Sequence, residues 1–326
     1  MITDSIKRVS LGFFPTPLHE LPRLSEKLGG PKLYVKRDDQ TGLATGGNKT
    51  RKLEFLVADA LDRRSDTLIT AGAPQSNHAR QTAAAAARLG LRCVLVLRGQ
   101  PSSSRQGNLL LDEMLGAEVR WAARDAVMDA MKTAADELSV KGYSPYLIPY
   151  GGSNPIGATG YVAAMEELME QARQMNLRFD RIVFASSSSG TQAGLVVGAK
   201  ATGYTGQVLG ISVDEKREDL QAKVAALATE TAAHLGQITE FAPGDIEVNA
   251  DYLGAGYGVV GEPEREAIRL AAETEGFLLD PVYTGRAFAG LIDLIRKGST
   301  RRGETVLFWH TGGTSALFAY ADELTR

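Results

Sequence analysis

The segment GGNKTRK at residues 46–52 decides the fold prediction for this chain of 326 residues. It lies between a predicted strand at residues 33–36 and a predicted helix over residues 50–61. The two glycines allow a tight turn and a close approach to a ligand, and Asn48 is a favourable helix cap. The positive end of the helix dipole disfavours a charged amine at Lys49. The pattern therefore predicts an amine that condenses with an aldehyde, of which pyridoxal phosphate (PLP) is the usual one in proteins.

Two other interpretations of this segment stay open on these residues alone. A lone lysine is most often a solvated surface charge. Residues 42–50 also read GLATGGNKT, one residue longer than the nucleotide-binding pattern GxxxxGK[ST]. The additional Asn48 would displace the lysine from the phosphates, and no apolar strand directly precedes Gly42. The choice therefore depends on the rest of the chain.

The length suits two domains or one large α/β unit, and 44% hydrophobic and 23% charged residues supply the material for an ordinary globular core. The net charge of −3, without a long basic block, argues against nucleic acid or an acidic membrane surface as partner. Cys93, the single cysteine, lies in an apolar run and is predicted to be inert strand filling. Residues 1–12 do not resemble a signal peptide, and no apolar run reaches the ~18 residues of a membrane span. We expect a cytoplasmic enzyme.

Strand-like and helix-like segments alternate from about residue 66 onward. The predicted strands are 67–71, 91–97, 117–121, 146–149, 181–185, 207–213 and 305–310. The predicted helices are 77–89, 108–115, 126–138, 157–176, 191–201, 214–235, 262–275 and 285–297. Continuous Val/Ile/Leu strands separated by helices indicate an α/β fold with mostly parallel sheet covered on both faces.

Polar segments are predicted at the carboxyl ends of the strands, where ligands bind in open α/β sheets. The segments are 46–52, 75–78, 186–191, 281–285 and 310–313. We expect them to converge on one site.

Two of these segments open helices and are suited to polar ligands. Residues 186–191 read SSSSGT, in which hydroxyls and unpaired N–H groups at a helix start favour a phosphate, and Lys52 could reach the same group. Residues 75–78 read QSNH and could hold a carboxylate or a ring hydroxyl. Plain helix capping explains either segment equally well. His78 has no metal-ligand spacing with the other histidines, so we predict no histidine metal site.

Tyr257 and Tyr283 are set among glycines and turn residues. Such tyrosines usually pack over a loop, but beside a cofactor a phenol donates to a carboxylate or carries a proton. Asp280 is predicted to cap the turn that follows it.

Taken together, the motifs resemble the D-cysteine desulfhydrase / 1-aminocyclopropane-1-carboxylate (ACC) deaminase family of PLP enzymes, which are of the tryptophan-synthase-β type (fold type II). The resemblance runs from about Phe14 to Tyr320 and includes the order of the motifs. The matching motifs are GGNKTRKLE at 46–54, QSNH at 75–78, SGTQAG at 189–194, PVYTG at 281–285 and HTGG at 310–313.

The resemblance implies a two-domain α/β enzyme in which each domain is an open, mostly parallel sheet flanked by helices. A larger PLP-binding domain would comprise residues 1–51 and 162–326. A smaller domain, residues 52–161, would close over the cleft. The resemblance also implies a homodimer.

The resemblance further assigns roles to individual residues. Lys49 would hold PLP covalently, Lys52 would contact its phosphate, Asn77 its ring hydroxyl and Thr311 its pyridine nitrogen. The implied phosphate loop comprises Ser187, Ser188, Ser189, Gly190 and Thr191. Ser76, Asn77 and His78 would bind the substrate carboxylate. Lys49, Ser76, Tyr257 and Tyr283 are the catalytic candidates.

One position departs from the family pattern. ACC deaminases carry a glutamate after the second tyrosine, where it pairs with the pyridine nitrogen, and this chain has Thr284. A hydroxyl stabilises a charged ring less well than a carboxylate, since charge-assisted hydrogen bonds are about twice as strong as neutral ones. We therefore expect β-elimination from D-cysteine to pyruvate, hydrogen sulfide and ammonia. L-cysteate sulfo-lyase and ACC deaminase activities remain alternatives, as does a non-catalytic PLP- or nucleotide-binding protein.

Overall fold

Two sheets with helices on their faces form the molecule. The computed structural model describes residues 1–101 and 105–325. The large sheet has the strand order β1-β2-β10-β7-β8-β9 and the small sheet β5-β4-β3-β6. All pairings are parallel except that of β1 with β2. The expected α/β class with mostly parallel sheets is confirmed.

The strands are β1 (Leu18–Glu20), β2 (Lys32–Arg37), β3 (Thr67–Gly72), β4 (Arg92–Arg98), β5 (Glu118–Ala122), β6 (Pro145–Leu147), β7 (Arg181–Ser186), β8 (Gln207–Ser212), β9 (Val248–Asn249) and β10 (Thr305–His310). The helices are α1 (Pro22–Leu28), α2 (Lys49–Asp62), α3 (Asn77–Leu89), α4 (Gly107–Met114), α5 (Val127–Val140), α6 (Pro155–Gln174), α7 (Gly190–Thr202), α8 (Arg217–His234), α9 (Glu262–Glu275), α10 (Thr284–Arg296) and α11 (Ala321–Leu324).

The sequence patterns located every long element, and α3, α9 and β10 have the predicted bounds. They missed β1, α1, β9 and α11, each of which is too short to show a period. The ends of α1 nevertheless carry a signal, because Pro22 stands in its first turn and Gly29 ends it with φ of 57°. Short helices of this kind are found from their end residues rather than from an apolar stripe.

Alternate residues of the large sheet enter two separate cores. In β10, Val306 and Phe308 pack with α9 and α10, whereas Leu307 and Trp309 pack with α6 and α7. Because successive strand residues point to opposite faces, one apolar run can bury both. The carboxyl end of β10 is thereby held rigidly between two helical layers.

The small sheet is buried in the same way. Leu68 and Cys93 pack toward α2 and α3, and Ile69 and Val94 pack toward α5. Cys93 is buried as predicted. The helix that begins at Lys49 therefore packs against the small sheet.

The domain bounds stay a prediction. The strands of the small sheet fall within residues 67–147, inside the predicted smaller domain. The predicted boundary between residues 161 and 162 falls within α6. Tyr161 and Met165 of that helix pack in the same core as Phe184 of the large sheet.

Across residues 1–101 and 105–325, we find no helix that combines the length and the apolar character needed to cross a membrane.

Candidate active site

The polar segments converge on one cleft. Three of them follow strands β3, β7 and β10, as expected. Residues 46–52 follow β2 only after the 3₁₀ turn Asp38–Gln40, and residues 281–285 follow α9 and a stretch without strand, so the prediction of a strand end was wrong for both. Lys49 and Tyr283 nevertheless reach the same cleft. The lining residues are Asn48, Lys49, Ser76, Asn77, His78, Tyr150, Gly151, Ala185, Ser186, Ser187, Ser188, Ser189, Thr191, Tyr283, Thr311 and Gly312.

Lys49 stands at the first position of α2 with its amine inside the cleft. Its Nζ donates to Asn48 Oδ1 at 3.0 Å. Burial, reinforced by the positive charge of Arg80 and opposed by the negative charge of Asp280, lowers the pKa of Lys49 to about 8. A substantial fraction of the amine is therefore neutral near physiological pH and able to act as nucleophile or base.

Asn48 does not cap α2, so that prediction was wrong. Its backbone is already helical, with φ of −59° and ψ of −23°, and its side chain makes no capping hydrogen bond. The N–H of Thr50 is instead satisfied by Gln81 Oε1 at 2.7 Å. The Asn48 amide is thereby available to the cleft, where Nδ2 donates to Thr191 Oγ1 at 3.1 Å.

The glycines before Lys49 are required by the turn. Gly46 and Gly47 have φ of 68° and 127°, and a Cβ at Gly46 would lie 1.9 Å from the carbonyl oxygen of Asp39. The N–H of Gly47 donates to Asp38 O at 2.9 Å and to Thr41 Oγ1 at 2.8 Å. No other residue fits this path, so the turn fixes where Lys49 leaves the backbone.

Residues 186–191 form a strained turn into α7. Ser189 has φ of 67°, a conformation that costs a non-glycine residue about 1–3 kcal/mol. Lys52 Nζ lies beside this turn and donates to Gly151 O at 3.1 Å and Ser153 Oγ at 3.3 Å. Burial and the charge of Lys49 hold the pKa of Lys52 well below its ordinary value. In the described part of the chain no carboxylate pairs with Lys52, so an anion is the missing partner.

Ser153 joins Lys52 to the turn and was missed by the sequence analysis. Its Oγ lies 3.0 Å from Ser188 Oγ and accepts from the N–H of Gly190 at 3.3 Å. The available signal was the glycine-rich run at residues 151–155, which follows the carboxyl end of β6. Tyr150 lies beside this run and was missed together with Ser153.

Ser187 differs from its neighbours. Its hydroxyl donates to Asp214 Oδ2 at 2.9 Å. A hydroxyl bound to a carboxylate does not also donate to a phosphate, so a phosphate contact by Ser187 depends on its backbone N–H.

The segment at residues 75–78 presents two side-chain donors. Ser76 Oγ caps α3 by accepting from the N–H of Ala79 at 3.1 Å, which leaves its hydroxyl proton to donate. Asn77 Oδ1 accepts from Asn108 Nδ2 at 2.9 Å, which leaves the Asn77 Nδ2 as the donor. Capping and ligand binding are therefore compatible at Ser76.

His78 is arranged as an acceptor. Thr70 donates its hydroxyl proton to Ile148 O at 2.9 Å, so its oxygen accepts the proton of His78 Nε2 at 2.8 Å. This hydrogen-bond network assigns the tautomer and leaves Nδ1, which has no partner among the described residues, as a lone-pair acceptor. Burial, reinforced by Lys49 and Lys52, holds the pKa of His78 well below its ordinary value. The carboxylate role of His78 stays a prediction.

Tyr257 and Tyr283 meet through their hydroxyls. Their rings are edge to face, with centroids 5.8 Å apart. Tyr283 lines the cleft. Burial raises the pKa of both phenols, so each is a neutral hydroxyl that can donate and accept.

Asp280 caps the turn before α10, as predicted. Its carboxylate accepts from the N–H groups of Val282 and Tyr283 at 3.0 Å and of Thr284 at 2.7 Å. The Thr284 hydroxyl also donates to Asp280, at 2.7 Å. Thr284 therefore serves this turn.

A buried, partly neutral lysine and a polar turn at a helix start line one cleft, an arrangement suited to a phosphorylated aldehyde cofactor. Residues 9–312 match the family model described as "Pyridoxal-phosphate dependent enzyme", and the chain belongs to that family. Among its curated relatives are the D-cysteine desulfhydrases of Salmonella typhi and Salmonella enteritidis PT4, each 45% identical over 96% of both chains. This finding shows that the cofactor is PLP, whereas the role of residues 46–52 stays a prediction.

Solved structures of similar proteins agree with this family assignment. A crystal structure of an ACC deaminase homologue is 43% identical and superposes with a TM-score of 0.91, covering 99% of this chain and 97% of that one. A diaminopropionate ammonia lyase of Escherichia coli shares the fold alone, at 18% identity and a TM-score of 0.67 over 96% of this chain and 86% of that one.

The cleft residues fit PLP. Lys52 lacks an anionic partner among the described residues, as noted above, and the nearby backbone leaves a cradle. A Cβ at Gly190 would lie 2.9 Å from Lys52 Nζ, and one at Gly151 would lie 2.3 Å from Ser188 Oγ. Glycine at both positions keeps open the space that a phosphate would use.

Proposed function

We propose that this chain catalyses β-elimination of D-cysteine to pyruvate, hydrogen sulfide and ammonia. The observation that carries the proposal is that Lys49 and Tyr283 line one cleft, with the Tyr283 hydroxyl bonded to that of Tyr257. A base for the α-proton and an acid for the leaving sulfur are the two groups that this reaction needs. The identity to D-cysteine desulfhydrases over 96% of the chain supports the same reaction.

PLP, when bound, supplies the electron sink that makes the α-proton acidic. We propose that Lys49 holds it covalently and that Lys52 and Ser153 bind its phosphate with the N–H groups of residues 187–191. Asn77 Nδ2 would donate to the ring hydroxyl, and Thr311, which lines the cleft after β10, would lie at the pyridine nitrogen. Each of these groups binds or orients.

The remaining residues act on the substrate. The Ser76 hydroxyl would donate to the substrate carboxylate, which fixes the Cα–H bond toward Lys49 Nζ. Lys49 Nζ would take the α-proton, and Tyr283 Oη would deliver a proton to the sulfur as the Cβ–S bond breaks.

The environment of Thr284 favours D-cysteine over ACC. Its hydroxyl and N–H both bind Asp280, so position 284 supplies no carboxylate to the pyridine nitrogen. Opening a cyclopropane needs a strong electron sink, whereas a sulfur leaving group on Cβ needs less help. The 43% identity to an ACC deaminase homologue keeps ACC as the second candidate substrate.

We also propose that the chain acts in the cytoplasm as a homodimer. This rests on the family resemblance and on the composition. Sedimentation equilibrium of the purified PLP-bound protein tests the oligomeric state, and a monomer mass at micromolar concentration would contradict it.

A side-by-side assay tests the reaction. D-cysteine, L-cysteine, β-chloro-D-alanine, L-cysteate and ACC are compared for release of pyruvate, sulfide and sulfite. We expect pyruvate and sulfide in equal amounts from D-cysteine. The proposed substrate would be wrong if L-cysteate released sulfite faster than D-cysteine releases sulfide. It would also be wrong if ACC alone were turned over.

Two lysine variants test the role of Lys49. Lys49→Ala should lose turnover, and borohydride should no longer fix PLP to the protein. Lys200→Ala, which removes an exposed lysine on α7, is the matched control and should keep both properties. Full turnover by Lys49→Ala would refute the assignment.

A further inference from the structure

We infer that Asn108 is a positioning residue that holds the side-chain amide of Asn77 with Nδ2 toward the cleft, as the donor to the ring oxygen of PLP. The inference rests on the proposed contact between Asn77 and PLP and deepens it. Asn108 belongs to none of the motifs found in the sequence, and it lies behind Asn77 rather than among the residues that line the cleft.

The amide of Asn77 needs a partner to fix its direction. An asparagine side chain can present either its oxygen or its nitrogen to a ligand. Within the described residues, the Asn77 side chain makes one hydrogen bond, in which Oδ1 accepts from Asn108 Nδ2 at 2.9 Å. This bond would be satisfied equally well if both amides were turned over. The other partners of Asn108 therefore decide the direction.

Two partners fix the amide of Asn108. Its Nδ2 also donates to the backbone carbonyl of Gln75 at 2.9 Å, and a carbonyl only accepts. Its Oδ1 accepts from the Ser315 hydroxyl at 2.8 Å. If the amide were turned over, its oxygen would lie against the Gln75 carbonyl oxygen. Asn108 therefore presents Nδ2 to Asn77, and Asn77 is left with its own Nδ2 for the cleft.

Arg80 fixes the direction of the Ser315 hydroxyl in turn. Arg80 Nη1 lies 2.9 Å from Ser315 Oγ, and a guanidinium donates but does not accept. The Ser315 oxygen therefore accepts from Arg80 and gives its proton to Asn108, which is closer than Thr45 Oγ1 at 3.5 Å. Three successive hydrogen bonds thus run in one direction from a permanent donor to Asn77.

The backbone brings these groups together. Gly107 begins α4 with φ of 58°, and a Cβ there would lie 2.4 Å from Gln75 Oε1 and 2.9 Å from the carbonyl oxygen of Ser315. The N–H of Asn108 donates to the same Gln75 Oε1 at 2.9 Å. The Asn108 side chain is fully buried, so water does not replace its partners. Glycine at position 107 is therefore what lets α4 approach closely enough to hold Asn77.

A fixed donor at this place selects one state of the cofactor ring. The ring oxygen of PLP is either a hydroxyl or an anion. An N–H group stabilises the anion through a charge-assisted hydrogen bond, whereas an amide oxygen would favour the hydroxyl. The anionic form absorbs at longer wavelength and gives bound PLP its yellow colour. We therefore expect the Arg80–Ser315–Asn108 series to keep bound PLP yellow.

A double-mutant cycle tests the role of Asn108. Asn108→Ala removes the partner of Asn77 Oδ1 and keeps the backbone bond to Gln75. PLP should bind about 3–10-fold more weakly, the value of one hydrogen bond, and the yellow band should lose intensity to the band at shorter wavelength. Asn77→Ala should show at least the same losses. The double variant should match Asn77→Ala, because Asn108 acts through Asn77. Additive losses would overturn the inference.

Asn108→Asp separates hydrogen-bond direction from shape. A carboxylate has the shape of the amide but only accepts, so it should attract Asn77 Nδ2 and turn Asn77 Oδ1 toward the cleft. The comparison is made at about pH 9, above the pKa of about 8 of the buried Asp112 one turn further along α4. The yellow band should fall further than in Asn108→Ala. A smaller fall than in Asn108→Ala would show that only the shape of the side chain matters.

Two more variants complete the set. Asn176→Asp adds a carboxylate at an exposed position after α6 and should change neither PLP affinity nor the spectrum. Ser315→Ala breaks the series one step earlier and should show the losses of Asn108→Ala in weaker form. In the Asn77→Ala background, Ser315→Ala should cause no further loss, and a loss that persists there would contradict the inference.

The outcomes separate this inference from the proposed function. Equilibrium dialysis of PLP and the absorbance of bound PLP involve no substrate, so they do not depend on D-cysteine. If Asn77→Ala leaves both unchanged, the proposed contact of Asn77 is wrong and the role of Asn108 falls with it. If Asn77→Ala alters both but Asn108→Ala alters neither, only the role of Asn108 is overturned.

Discussion

Arg80 donates from Nη2 to the backbone carbonyl of Gly46 at 2.8 Å, three residues before Lys49. Its Nη1 also donates to Ser315 Oγ at 2.9 Å and to Thr45 Oγ1. The side chain is completely buried. One guanidinium therefore ties the lysine turn to α3 and to the segment after β10, and places a positive charge near the amine.

Arg80→Met should raise the pKa of Lys49 above about 8, because Arg80 is the neighbouring charge that lowers it. PLP uptake by cofactor-free protein needs the neutral amine, so its pH midpoint should move to higher pH. The midpoint is measured by following the absorbance of bound PLP across the pH range around the pKa of Lys49. Arg80→Lys keeps the charge and should stay closer to the wild type.

The control for Arg80→Met lies on the same helix. Arg88 is exposed and donates to Leu11 O at 2.9 Å, so Arg88→Met should leave the midpoint unchanged. An unshifted midpoint in Arg80→Met would show that the charge of Arg80 does not reach Lys49.

Lys52→Met should stabilise the cofactor-free protein and weaken its binding of PLP. Burial lowers the pKa of Lys52 below its ordinary 10.5, so the unfolded chain binds more protons in the window between the two pKa values. Wild-type stability therefore rises with pH there, and the cost of burying Lys52 is largest at lower pH. Cofactor-free Lys52→Met should be more stable at about pH 7 by about 1–3 kcal/mol. PLP should bind about 10–100-fold more weakly, because a charge-assisted phosphate contact is lost.

Denaturant unfolding of the cofactor-free protein and equilibrium dialysis of PLP measure the two effects. Lys132→Met, an exposed position on α5, is the control and should alter neither. Unchanged PLP affinity in Lys52→Met would remove Lys52 from the phosphate site.

Asp112→Asn should stabilise the protein at high pH. Neither carboxylate oxygen of this buried residue has a hydrogen-bond partner in the described ranges 1–101 and 105–325. Burial, opposed by Arg80, raises the pKa of Asp112 from 3.8 to about 8. Its contribution to stability is therefore complete below about pH 4 and is lost as the pH rises through about 8.

The expected gain from Asp112→Asn is about 1–3 kcal/mol at about pH 9 and clearly smaller at about pH 5, since the amide carries no charge at either pH. Urea unfolding at both pH values measures it. Asp136→Asn replaces an exposed carboxylate on α5 and should show no such difference. An equal effect of Asp112→Asn at both pH values would contradict the raised pKa.

Arg286→Met should destabilise the segment between β9 and α9 that carries Tyr257, here called the Tyr257 loop. Arg286 is buried, pairs with Glu264 at 2.7 Å, and donates to the carbonyls of Val213, Gly256 and Val259 at 2.8–3.0 Å. Its removal leaves a buried carboxylate and three carbonyls without their donor, so we expect a loss of about 3–5 kcal/mol in unfolding free energy. Activity should fall as well, because two of the carbonyls flank Tyr257.

Arg296→Met is the matched control on α10. It removes an exposed pair with Glu266 and should cost less than about 1 kcal/mol. Thermal unfolding and D-cysteine turnover compare the two variants. Wild-type turnover by folded Arg286→Met would show that the loop holds its position without the guanidinium.

The long helices and strands could be predicted because the hydrophobic pattern of each lies within one continuous stretch of sequence. The continuous apolar runs of β3 and β10 and the alanine-rich α3 each show in one stretch of sequence. Local motifs likewise identified Lys49, Ser76 and residues 186–191, which the structure brings to one cleft.

What could not be predicted depends on contacts between distant segments. Ser153 and Tyr150 reach the site because the turn after β6 meets the turn after β7. Asn48 fails as a cap because Gln81, from another helix, satisfies the N–H that it would have served. Neither relationship leaves a pattern within one stretch of chain.

The burial of Cys93 has a consequence for a protein proposed to work in its own sulfide. Hydrosulfide forms a persulfide with a cysteine that has already been oxidised to a sulfenic acid or disulfide, and that oxidation requires a thiolate that solvent can reach. The only thiol of the chain lies behind α3, and burial raises its pKa far above the ordinary value. The protein therefore presents no accessible thiol for sulfide to modify, and its activity should not decline as sulfide accumulates.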